Sequence, residues 1–373
     1  MKAAARPRDD ARTTRLLWLD PMRAELADGT IGDLRTRLRE GDLLVVNDAA
    51  TLPASLQGAT AAGMPIEARL AASEGDGCWR AALFGAGDWR RRTEDRPPPP
   101  AVGAGEVLRF AVAGGRGRAA GGGARARQPA EDPAGAPLRA TVTGVDAASP
   151  RLVSLCFEAR GGALWRALYR AGRPVQYAHT DRPLALWQVQ TPYAARPWAA
   201  EAPSAGFALT WELLLDLRRR GIAVARVTHA AGLSSTGDRE LDARLPLAEG
   251  YEVPQDTVRA VERARERSGR VVAVGTTVAR ALEGDAACHG GRLVAEAGTT
   301  DLRLGPALRR GVVDGILTGV HDPGTSHFAL LESFAPRKLL ERAHAFAEQQ
   351  GYQGHEFGDA LLILGEGGGL RQI

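Results

Sequence analysis

Arg270–Glu283 reads RVVAVGTTVARALE, and its pattern decides the fold class. Val271 to Val274 form a continuous apolar run, which a strand covered on both faces requires. Gly275, Thr276 and Thr277 follow, small or hydroxylated residues that let the chain turn sharply and leave N–H groups facing outward. Val278–Glu283 reads as the first turns of a helix, with Thr277 as N-cap because its oxygen can accept from an early unpaired N–H. Strand, Gly-Thr-Thr turn and helix N-terminus together make an anion site, where backbone donors and the helix dipole converge. An ordinary strand-to-helix connection has the same local pattern, so the surrounding sequence must separate the two.

Upstream, Tyr251-Glu-Val-Pro254 leads into a helix over 255–268, with Val258 and Val261 among its apolar positions and Gly269 just past its end. The whole run, YEVPQDTVRAVERARERSGRVVAVGTTVARALE, resembles the S-adenosylmethionine:tRNA ribosyltransferase-isomerase family of queuosine biosynthesis. That family has a similarly placed tyrosine, a helix, a glycine, an apolar strand and Gly-Thr-Thr, then an arginine and a Leu-Glu pair, here Arg280, Leu282 and Glu283. Further stretches match in the same order. Gly41–Asp48 resembles a GDLLV strand followed by Asn-Asp, here Asn47 and Asp48, with Pro53 and Ala54 a few residues on. Gln190, Thr191, Tyr193 and Ala194 match a YQTVYA element, and Ala202–Leu214 resembles an APTAGLHFT turn leading into a helix that Thr210 would cap. Gly232 and Leu233 fall in register with a His-Val-Gly-Leu-Gly-Thr-Phe loop. From Thr300 onward, Thr300-Asp301, Val313–Thr318, His321, Pro323 and Phe357–Ile363 complete the likeness. It departs at Ala50, Ser55, Ala208, Ala230, Leu247, Gly319 and Gly324, each standing where the family carries a polar side chain. His229 lies one position from the family's histidine, so in an extended segment it would face the opposite side.

The chain has 373 residues, enough for a substantial core and two domains. Hydrophobic residues make up 44% and charged residues 25%, which fits a globular chain and argues against disorder. No apolar run reaches ~18 residues and the first fifteen residues lack an apolar leader, so a cytoplasmic location with no membrane partner is expected. The net charge of +4 is compatible with a nucleic-acid partner or with a solvated surface, and the cations are arginines apart from Lys2 and Lys338. Cys78, Cys156 and Cys288 are far apart with no CxxC pair, which reads as free thiols in a reducing compartment, with no zinc site.

Residues 58–160 change character. Short β-prone segments at 66–72, 79–84, 106–112, 138–143 and 152–157 are separated by turn residues, as in a small antiparallel barrel or sandwich. The family carries a β-barrel inserted in an α/β domain at this point. The resemblance therefore implies a discontinuous α/β domain over 1–57 and 161–373 with a β-barrel insert over 58–160. Within the insert, the Gly/Arg/Pro-rich stretch at about 113–137 reads as a flexible loop.

The resemblance implies transfer and isomerisation of the ribosyl group of S-adenosylmethionine to 7-aminomethyl-7-deazaguanine in tRNA, giving epoxyqueuosine with release of adenine and methionine. S-adenosylmethionine then acts as substrate, tRNA as partner, and neither a metal nor DNA is expected. Such chemistry needs a base for a proton made acidic by the sulfonium, and a proton donor for departing adenine. His321, in a loop directly after a buried strand, is the candidate for proton transfer. Asp48 and Glu249 are the carboxylates placed to meet ribose hydroxyls or the sulfonium, completing the candidate catalytic set. Gly275, Thr276 and Thr277 would hold an anionic group such as the methionine carboxylate, with Asn47 beside them and Arg280 either a partner or a surface cation. Two alternatives stay open: a divergent paralogue using S-adenosylmethionine or a related nucleoside with another acceptor, and a non-catalytic binding protein of the same fold.

Overall fold

The structure, a computed structural model, describes residues 1–111, 136–147 and 149–365. The Gly/Arg/Pro-rich loop expected at about 113–137 lies almost wholly outside the described residues. Two compact units are present. One comprises Met1–Leu52, Gln176–Ser234 and Asp242–Ile373, the other Pro53–Val175 and Ser235–Leu241.

The first unit is built on a nine-stranded mixed sheet. Its order is Ala297–Thr300, Glu249–Glu252, Ala223–His229, Leu43–Asn47, Val271–Val274, Gly315–Gly319, Ala360–Ile363, Arg15–Asp20 and Glu25–Thr30. The four middle strands, from Ala223–His229 to Gly315–Gly319, run parallel, and antiparallel pairs finish both edges. Val271–Val274 is central and buried throughout, as its apolar run requires. Val271 and Ala273 face one core, shared with Val258, Val261, Leu282 and Leu340 from helices Gln255–Glu266, Thr276–Cys288 and Arg337–Gln349. Val272 and Val274 face the other, with Leu213, Leu214 and Leu217 of helix Trp211–Arg219. Thr210 caps that helix by accepting from the Leu213 N–H at 3.2 Å.

Where two of the parallel strands begin, a buried ion pair fixes their register. The Arg270 backbone N–H donates to Asp42 at 2.8 Å and its guanidinium to the same carboxylate at 2.6 Å, while reaching the Arg37 and Gly365 carbonyls. Pairing and full hydrogen bonding are what allow an arginine to sit in such dry surroundings. At the other end of Val271–Val274 the helix begins at Thr276 with Gly275 as N-cap. Thr277 is therefore not the cap: Gly275 adopts φ +92°, a left-handed conformation a side-chain-free residue takes without strain, and makes the turn itself.

The second unit is a closed barrel of six antiparallel strands, ordered Leu138–Val145, Leu152–Phe157, Cys78–Phe84, Pro65–Gly75, Ser55–Ala59 and Val107–Phe110. The sequence marks five of these. Ser55–Ala59, SLQGA, is short and too polar to announce itself, yet it closes the barrel against Val107–Phe110. Closure there requires Gly58, because a β-carbon would come within 2.4 Å of the Arg109 carbonyl and 2.7 Å of the Phe110 ring. Inside, Glu67 accepts from Arg69 at 2.8 Å and Arg96 at 2.5 Å, so its charge is met within the barrel.

The cysteine expectation is corrected here. Cys78 and Cys156 sit directly opposite on adjacent antiparallel strands, Cα atoms 4.0 Å apart, and form a disulfide; Cys288 alone is free. A separation of 78 residues hides this pair in the sequence, and strand register creates it. Among the described residues no helix is long and apolar enough to cross a membrane.

Gly58→Ala is expected to lower stability by about 1–3 kcal/mol through overpacking at the closing strand pair. The same change at Gly103, where a β-carbon meets nothing within 4 Å, should stay within about 0.5 kcal/mol. Urea unfolding of the two variants checks this, and equal effects would refute the closure argument.

Candidate active site

The C-terminal ends of the parallel strands converge on Asn47, whose side chain is fully used. Its Nδ2 donates to the His229 carbonyl at 3.0 Å and to Thr277 Oγ1 at 3.3 Å, while its Oδ1 accepts from the N–H groups of Ala49 and His229. One amide thus joins two strand ends to the first turn of helix Thr276–Cys288. That first turn presents N–H groups with no intrahelical acceptor, the donors an anion would meet. Alternation along the strand sends Asp48 the other way: its Oδ1 accepts from Thr228 Oγ1 at 2.6 Å and its Oδ2 lies 3.3 Å from Arg226.

Arg280 is no surface cation. It is 5% exposed and its guanidinium pairs with Glu249, from a strand near the sheet edge, while also donating to the Leu302 carbonyl at 3.0 Å. Glu249 accepts in addition from the Gly232 N–H at 2.6 Å. Into this pair projects His229, fully buried, its Nε2 3.5 Å from the Glu249 carboxylate and neither ring nitrogen hydrogen-bonded. Burial pushes the imidazole down to about 4 against the pull of Glu249, with Arg280 adding to the push. His229, set aside in the sequence as one position off, is therefore the imidazole that meets Glu249.

His321 lies beyond strand Gly315–Gly319, its Nε2 2.9 Å from Thr318 Oγ1 and its ring stacked on His327 at 4.9 Å. Burial pushes it down to about 3, His327 and His355 adding to the effect and Asp322 opposing it. The imidazole is therefore neutral at physiological pH. Thr318, His355 and Glu356 line a cavity of about 180 Å³ that Phe207, Gln188 and Gln190 also wall. Ala205 of the same wall packs 3.4 Å from where a β-carbon on Gly275 would sit, which links the cavity to the Gly-Thr-Thr turn. Nearby, Glu201 accepts from the Tyr177 hydroxyl and, at 2.8 Å, from the Ser234 N–H. Loss of solvent raises its carboxyl to about 7 despite these bonds, with Glu356 adding to the rise.

A family model described as queuosine biosynthesis protein matches residues 1–363. The chain belongs to that family. Curated relatives named S-adenosylmethionine:tRNA ribosyltransferase-isomerase include those of Methylobacterium sp. (strain 4-46), 34% identical over 96% of this chain and 93% of its own length, and Synechococcus sp. (strain WH7803), 32% over 97% and 92%. The relative of that name in Rubrobacter xylanophilus is 31% identical over 99% of this chain and 96% of its own length. A crystal structure titled S-adenosylmethionine tRNA ribosyltransferase from Thermotoga maritima superposes with a TM-score of 0.49 at 24% identity, covering 97% of this chain and 96% of that one.

Within this member of the queuosine biosynthesis family, His229 stands between two groups: its backbone is hydrogen-bonded to Asn47, which also reaches Thr277, and its ring faces the Glu249–Arg280 pair without a hydrogen bond. His321 belongs to a separate imidazole group with His327 and His355, and Asp48 to a third with Thr228 and Arg226. Ala208 and Gly319, two of the positions where the resemblance leads one to expect polar side chains, line the cavity. His229, His327, Glu201, Tyr177, His179, His355 and Glu356 are the polar groups that sequence reasoning passed over. Only a count gives them away: five of the seven histidines, His179, His229, His321, His327 and His355, gather here, against His289 and His344 elsewhere.

Glu249→Gln or Arg280→Met should each destabilise by about 3–5 kcal/mol, since either leaves a buried charge uncompensated. The double variant Glu249→Leu with Arg280→Met should lose less than the two summed. Chemical denaturation measures all three, and single losses under about 1 kcal/mol would remove the structural role of the pair.

Because His229 binds its proton less readily folded than at its ordinary 6.5, the unfolded chain protonates first as pH falls, and stability drops between about 6.5 and 4. Relative to His229→Asn, the protein should lose up to about 1.4 kcal/mol more per pH unit in that window. Urea midpoints at several pH values test this; parallel curves would count against it.

Proposed function

We propose that this protein transfers and isomerises the ribosyl group of S-adenosylmethionine onto 7-aminomethyl-7-deazaguanine in tRNA, yielding epoxyqueuosine, adenine and methionine. The likeness to relatives of that name along 96% or more of the chain carries the reading. Gly275, Thr276 and Thr277 hold the methionine carboxylate on the helix N-terminus, with Asn47 orienting the Thr277 hydroxyl. Arg280 balances Glu249, which with Asp48 meets the ribose hydroxyls and the sulfonium side of the substrate. His321, neutral at physiological pH, takes the proton from the carbon next to the sulfonium. Glu201, titrating near 7, supplies a proton to departing adenine. Arginines supply the phosphate contacts to tRNA, whose presence as substrate sets the location as cytoplasmic.

A second reading keeps the donor and changes the acceptor. Ala208 and Gly319 favour it, since they leave bare the cavity walls where the family is expected to offer hydrogen-bonding groups.

Adenine released from S-adenosylmethionine is the deciding measurement, made with and without tRNA bearing the aminomethyl base. Release that requires the tRNA supports the first reading, release without it the second, and none at all refutes both. S-adenosylmethionine at a hundred times its dissociation constant should stabilise the protein by about 2.7 kcal/mol. Thr276→Val with Thr277→Val should reduce that shift without unfolding the protein. Binding of tRNA through about four to six phosphates should fall with salt at a log–log slope of roughly −3 to −5.

A further inference from the structure

Beside the cavity, His179, His355 and Glu356 bring three donor atoms within 4.8 Å of one another. His179 Nε2 lies 2.7 Å from a Glu356 carboxylate oxygen, and the His179 and His355 rings are 4.3 Å apart. We propose that these three side chains form a binding site for a divalent transition-metal ion such as zinc(II). The site rests on these residues alone and is independent of the function proposed above.

The loop that carries two of the donors is built to hold them. His355 sits at φ +66°, a left-handed conformation that a residue with a β-carbon rarely adopts. It is kept there by the Gly358 N–H donating to the His355 carbonyl at 3.0 Å and the Asp359 N–H to the Gln353 carbonyl at 2.8 Å. Gly358 has no room for a side chain, since a β-carbon would meet the Gln353 and Gly354 carbonyls at 2.4 and 2.6 Å. Phe357 anchors the loop by stacking on Phe207 at 5.7 Å. The third donor is steadied from the other side, where the Tyr177 ring lies nearly parallel to His179.

Donor chemistry selects the ion. Two imidazoles and one carboxylate suit zinc and its neighbours rather than magnesium or calcium, which prefer oxygen alone. Atoms bound to one such ion at about 2.0–2.2 Å lie roughly 3–4 Å from each other, so small side-chain adjustments suffice. Charge agrees. Glu356 has no arginine or lysine partner among the described residues, its one ion-pair neighbour being His179 itself, so its carboxylate is available to a cation. His355 and Glu356 line the cavity, so an ion they hold borders it and can meet a ligand oxygen there.

Titration of the full chain with cobalt(II), followed by calorimetry and by visible d–d absorption, tests the site, with zinc(II) as competitor. One ion per chain is expected, and zinc should displace cobalt. His355→Asn, which tolerates the left-handed backbone, and His179→Ala should each weaken binding by about 100-fold or more, given that even outer-shell partners are worth about 10- to 100-fold. His289→Ala should leave it unchanged, although Asp285, His289 and Glu296 form the other candidate cluster. Apo melting midpoints identify a misfolded variant, and the remaining one then decides. Absence of heat and of a visible band at millimolar cobalt would overturn the proposal. So would binding that His289→Ala abolishes and the other two variants leave intact.

Discussion

Glu249 and Arg280 reach each other from a strand near the sheet edge and from the helix that follows the central strand, and both are buried. Taking either charge out of water alone is costly, and their attraction offsets that cost only while both are in place and otherwise hydrogen-bonded. The Gly232 N–H and the Leu302 carbonyl provide those remaining bonds. The pair therefore fixes more than itself. It holds the loop after Ala223–His229, the strand Glu249–Glu252 and the segment near Leu302 against one helix, and sets the field in which His229 stays neutral.

A second constraint works beside it without charge. Asn47 uses both ends of its amide to tie two parallel strands to the first helical turn. A carboxylate there could not donate to Thr277, and an apolar residue would strand the His229 N–H. These groups thus gather where the parallel strands end, the usual place for ligands in open α/β sheets. Burial there pushes His229, His321 and His327 toward their uncharged forms.

Glu283 shows why neighbouring charges in one helix play different parts. Arg280 turns toward the strand ends, whereas Glu283 accepts from the N–H groups of Gly311, Val312 and Val313 and holds the approach to the next parallel strand. Both belong to the same stretch of the resemblance, and sequence alone gives no reason to separate the partner of Glu249 from a loop clamp. Only the neighbours each one reaches do so, since residues three apart lie about 60° from each other around the helix and share a face.

The sequence by itself determined the framework. The apolar run Val271–Val274, the glycine after it, the helix periodicities and the change of pattern beyond residue 58 each depend on local chemistry, so αβ units and a β-rich stretch, barrel or sandwich, were legible, and the family resemblance implied that a barrel is inserted in the α/β domain. Motif likeness also brought Asn47, Gly275, Thr276, Thr277, Arg280 and His321 into view. Only the tertiary structure decided which residues meet. The Cys78–Cys156 bond depends on cross-strand register across 78 residues, and the closing strand Ser55–Ala59 on space that only Gly58 permits. The His229–Glu249 approach and the His179–His355–Glu356 group join side chains up to 177 residues apart. No short-range pattern encodes such distances, because they arise from how strands are ordered in the sheet and from the exclusion of water between them.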